Sequence, residues 1–67
     1  MDNNLHSPAR RLIELRMEHA DLDGLIDRCL LDPSTDELAL RRMKKRRLVL
    51  RDQIARLEAS IEPAEPA

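Results

Sequence analysis

The sequence predicts an all-α fold, two helices folded back as an antiparallel, coiled-coil-like hairpin. Three observations predict it. Apolar residues recur at alternating spacings of three and four in two separate segments. A Pro-containing break, Asp32-Pro33, lies between those segments. The residue types that start helices stand at the head of each segment.

Residues 1–6 are polar and are expected to be disordered. Ser7-Pro8 then reads as an N-cap followed by proline at the first helical position, where its missing N–H costs nothing. The first seam runs Leu12, Leu15, His19, Leu22, Ile26 and Cys29, the a/d stripe of a heptad helix. Gly24 weakens this helix by about 1 kcal/mol relative to alanine. A helix over about residues 8–31 follows, ended by Asp32-Pro33 because proline disfavours the helical region for the residue before it.

Ser34-Thr35-Asp36-Glu37 has the form of a capping box, with Ser34 as N-cap and Glu37 three residues on. The second helix is therefore expected over about 35–61, after a turn at 32–34. Its seam is Leu40, Met43, Arg47, Leu50, Ile54, Leu57 and Ile61. Pro63 and Pro66 close it, leaving 63–67 as a short disordered tail. So short a loop makes the helices antiparallel. One register pairs Leu12 with Leu57, Leu15 with Ile54, His19 with Leu50, Leu22 with Arg47, Ile26 with Met43 and Cys29 with Leu40. It sets Asp23 beside Lys44, and Arg16 unfavourably beside Arg51.

The chain of 67 residues makes one small domain, and Phe, Tyr and Trp are all absent. A chain this short buries only about 60% of the surface its unfolded form exposes. Off the seam lie Ile13, Met17, Ala20 and Gly24 on the first helix and Leu48, Ala55 and Ala59 on the second. A homo-oligomeric helical bundle would bury them, with Ile13, Met17 and Ala20 as the candidate oligomer face. Scattered exposed apolar residues are the plainer alternative.

Charge is abundant but balanced: 12 Lys and Arg against 13 Asp and Glu, net −1. Any anion-binding role must then come from local clustering. Arg41-Arg42-Met43-Lys44-Lys45-Arg46-Arg47 supplies a cluster. Its functional reading is a phosphate-binding face made by Arg41, Arg42, Lys44, Lys45, Arg46 and Arg51. Its plainer reading is a solvated face, bridged to Glu14, Glu18, Asp21, Asp23 and Asp27 of the first helix. With no aromatic residue to stack on bases, nucleic-acid binding is expected to be weak. His19 and Arg47 are the polar positions of the seam, and His19 is read as register-setting rather than pH-sensing.

Chemistry has little to work with. Cys29 is the single cysteine and reads as a small hydrophobe. Ser7 and Ser34 read as caps, and the spacing of two His and one Cys does not suit a metal. The expectation is a non-enzymatic protein without cofactor or metal. The polar N-terminus carries no signal-peptide core, and no apolar run exceeds three residues. With no disulfide framework, these features predict a cytoplasmic protein that does not insert into membranes.

The pattern Glu18-His19-x-x-Leu22-Asp23-x-x-Ile26-Asp27, a Pro-containing turn, then Leu40-x-x-Met43-Lys44-Lys45-x-x-Leu48-x-Leu50-x-Asp52-x-Ile54 resembles the YdcH-like bacterial proteins. That family is classed as a domain of unknown function. The resemblance covers about residues 10–58. Arg46 and Arg47 make the basic run denser than the family pattern requires, and Met43 stands where leucine is expected. The resemblance implies a short antiparallel helical hairpin and a bacterial source, and it supplies no activity. The leading expectation is a structural or adaptor protein that binds partners through its helix faces. The alternative is an anion-binding accessory factor that contacts nucleic acid.

Overall fold

A computed structural model describes residues 7–61; the tails expected at 1–6 and 63–67 lie outside the described residues. The described residues form two helices, α1 (Pro8–Leu30) and α2 (Glu37–Ile61), packed against each other as a hairpin. No strand occurs among the described residues.

Local chemistry sets the helix ends. The Ser7 backbone is extended, and its side-chain oxygen accepts from the Arg10 N–H at 3.2 Å, satisfying one orphan donor of the first turn. At the far end of α1, the Leu31 and Asp32 N–H groups donate to the carbonyls of Arg28 and Cys29. The Thr35 hydroxyl also donates to the Cys29 carbonyl, at 3.0 Å. These bonds satisfy carbonyls that a helix end leaves open.

The start of α2 differs from the expectation. The helix begins at Glu37 rather than at residue 35, and the expected capping box of Ser34 and Glu37 does not form. Asp36 is the cap: its carboxylate accepts from the Leu38 N–H at 3.1 Å. Asp32 is the reason. Its carboxylate oxygen Oδ1 accepts from both the Ser34 hydroxyl, at 2.7 Å, and the Ser34 N–H, at 2.9 Å. This is an Asx turn, and it engages the groups that would have capped the helix. The Thr35 N–H donating to the Asp32 carbonyl at 3.1 Å completes the turn.

Between the helices, every residue of the two expected seams is buried or half-buried. Among the described residues, Leu15, Ile26 and Leu50 alone are fully buried, at 2%, 1% and 0% exposure. The core is thus a single line of seam side chains between the two helices.

Among the described residues, three ion pairs cross the seam. Arg16 Nη2 donates to Glu58 at 2.6 Å, Arg46 Nη2 to Glu18 at 2.8 Å, and Arg47 Nη1 to Asp23 at 2.7 Å. Two neighbour expectations are corrected here. Asp23 pairs with Arg47, not Lys44, because the guanidinium reaches out of the seam to it. Arg16 turns to Glu58, which lies two helical turns beyond Arg51 on the same side of α2.

Candidate binding surfaces

The basic run divides into two kinds of cation. Arg46 and Arg47 are held in cross-helix bridges to Glu18 and Asp23. Arg41, Arg42, Lys44, Lys45 and Arg51 are all exposed, and none has an ion-pair partner among the described residues. On a helix Arg41, Arg42 and Lys45 fall on the side turned away from α1, and Lys44 and Arg51 flank the seam. The run is therefore bridged in part, as its plainer reading expects, and open in part. Arg46 is the one proposed phosphate contact that the structure engages elsewhere.

His19 and Arg47 lie in the seam, each half-buried. His19 Nε2 and Arg47 Nε are both shut off from solvent and have no hydrogen-bond partner among the described residues. Arg47 nonetheless keeps its outer nitrogen on Asp23, so its charge is compensated while its inner N–H is not. Buried polar groups without partners are uncommon and costly. In the expected register the two fall in adjacent layers, His19 opposite Leu50 and Arg47 opposite Leu22.

The candidate oligomer face is open. Ile13 and Met17 are 57% and 61% exposed, and Ala20 is exposed beside them. On α2, Leu48 is 60% exposed. A Cβ added at Gly24 would meet only an Arg28 guanidinium nitrogen, at 3.7 Å. Nothing inside the hairpin thus requires glycine there.

Sequence reasoning missed a cluster at the turn end. Leu30, Leu31 and Leu38 are all more than half exposed, Leu31 the most at 84%. The signal was available, since all three fall outside the seam spacing next to the break. Cys29, by contrast, sits half-buried in the seam as a free thiol.

At the turn, the Ser34 hydroxyl and then the Ser34 backbone N–H hold the Asp32 carboxyl below its ordinary value, against a small opposing effect of desolvation. The bonds favour the ionised form, which orders the turn. No group of three or more His, Cys, Asp or Glu side chains among the described residues is placed to hold a metal. Neither helix is long and apolar enough to cross a membrane.

The fold and its surfaces define a class: a short helical hairpin with one thin seam and charged, partly apolar outer faces. Over residues 12–58 the chain matches the model of the family described as "Protein of unknown function (DUF465)", and it belongs to that family. This agrees with the YdcH-like resemblance of its residue pattern. No curated protein and no solved structure matches it.

Proposed function

We propose that this protein is a non-enzymatic structural or adaptor module, which self-associates and binds partners through its helix faces. The observation that carries the reading is the mismatch between core and surface. Among the described residues three are fully buried, while Ile13, Met17 and Leu48 are each more than half exposed. A domain this small gains stability most readily by covering such residues with another helix. The hydroxyls that might serve as nucleophiles have structural work: Ser7 caps α1, and Ser34 binds Asp32. A cytoplasmic location fits the same reading.

One observation favours a second reading, the anion-binding accessory factor. Arg41, Arg42, Lys44, Lys45 and Arg51 have no ion-pair partner among the described residues. Five such cations fall short of the roughly 6–10 phosphate contacts of a strongly salt-dependent binder. Sedimentation equilibrium of the intact protein tests the first reading. Dimers or larger species are expected at high micromolar concentration, and a stable monomer there would refute self-association.

A further inference from the structure

We infer that two copies of the hairpin stack face to face about a twofold axis parallel to the helices, so that α1 of each lies antiparallel on α2 of the other. The inference rests on the self-association proposed above and specifies its face and its pairing.

Ile13, Ala20 and Asp27 are seven residues apart and form one row along α1; Arg41, Leu48 and Ala55 form the equivalent row along α2. Each member directly follows a seam residue, and all six are exposed. In an antiparallel pair, equivalent positions of the two helices fall on the same side. The Arg16–Glu58 bridge marks that side and ties its two inner edges together. Both rows thus border one broad face of the hairpin.

The register expected from the seam spacing sets their heights: Ile13 comes within one residue of Ala55, Ala20 of Leu48, and Asp27 of Arg41. A twofold axis along the helices preserves height, so these are also the residues that meet between copies. Large Ile13 meets small Ala55. Small Ala20 meets large Leu48. Negative Asp27 meets positive Arg41, and neither has an ion-pair partner among the described residues. One register satisfies volume and charge together, and the twofold repeats each contact.

On the inner flank, Lys44 comes within two residues of the height of Asp23 of the second copy. Arg51 comes equally near the height of Arg16 of the second copy, whose guanidinium is already held by Glu58. The alternative stacking, α1 on α1 and α2 on α2, would leave Asp27 without a cation in the facing row Ile13, Ala20 and Asp27, and Arg41 without an acid in the facing row Arg41, Leu48 and Ala55. Charge complementarity therefore selects the α1-on-α2 arrangement. Both turns then lie at the same end, gathering Leu30, Leu31 and Leu38 of two copies at one pole.

A charge-swap series tests the face. Wild type, Asp27→Arg, Arg41→Asp and the double variant are compared by sedimentation equilibrium, with helicity as the folding control. Each single swap should raise the dimer dissociation constant about tenfold or more, because like charges then meet twice. The double swap should recover most of the loss. Orientation is read separately by dipolar spectroscopy on Leu31→Cys in a Cys29→Ser background, with a nitroxide on each copy. Turns at one end give a distance well below the length of α1, about 35 Å for its 23 residues. Turns at opposite ends give more than that length. A monomeric wild type would refute both self-association and this face. A dimer whose affinity ignores the swaps, or whose labels lie far apart, would leave self-association standing and overturn this arrangement.

Discussion

Replacing His19 with leucine isolates the cost of the polar layer in the seam. The imidazole Nε2 is buried without a partner among the described residues, and Leu50 in the facing seam is fully buried. An unsatisfied buried polar atom costs about 1–3 kcal/mol. Leucine removes that cost and adds apolar contact, worth about 25 cal/mol for each Å² taken from water. His19 is only half-buried, so the added burial is a fraction of a full leucine's. The net expectation for His19→Leu is a gain of about 1–2 kcal/mol. In a domain of this size each kcal/mol moves the midpoint by about 4–8 °C. Thermal melts followed by circular dichroism, at one fixed concentration, measure it. A polar seam residue also fixes register at some cost in stability, so the variant should sediment as a broader mixture of species. An unchanged or lower midpoint would refute the reasoning and show that the imidazole stabilises the seam.

Further predictions follow from single residues. Gly24→Ala should stabilise by about 1 kcal/mol, since its added Cβ meets only the end of the Arg28 side chain; a lower melting midpoint would show that something else packs on that position. Ser34→Ala removes one of the two bonds to Asp32, so the Asp32 carboxyl should titrate higher by NMR, toward its ordinary value. Because the folded value lies below the unfolded one, this turn's contribution is full above the unfolded pKa and is lost as pH falls through the folded value. Acid sensitivity in that window should therefore diminish in Ser34→Ala. Duplex DNA and single-stranded RNA should bind at micromolar affinity or weaker at low salt and be released near physiological salt. Submicromolar binding that persists there, and is lost when Lys44, Lys45 and Arg46 become glutamine, would promote the nucleic-acid reading.

The hairpin and its seam were legible in the sequence because spacing alone determines which side of a helix is apolar. Every residue assigned to the seam is at least half-buried. The start of α2 was not legible to the residue. Ser34 and Asp36 are both good caps, and the choice turned on Asp32 reaching Ser34 first, a matter of turn geometry rather than residue type. Ion-pair partners were harder still. Heptad position places Arg47 in the seam, but only side-chain reach puts its guanidinium on Asp23. The basic run was visible as charge, whereas its division into bridged and open cations needed the facing acids of α1 in place. The role of the protein was least legible, since the pattern that identifies the family carries no chemistry with it.

On the proposed reading, one thin seam does not hold this hairpin by itself and a second copy completes it. Helical circular dichroism of the intact protein on dilution, from high micromolar to well below micromolar, tests it most directly. A self-associating hairpin should lose helicity on dilution through a concentration-dependent transition, because its folded form is linked to its partner by mass action. Full helicity that does not change across that range would contradict the claim and establish the hairpin as a self-sufficient monomer.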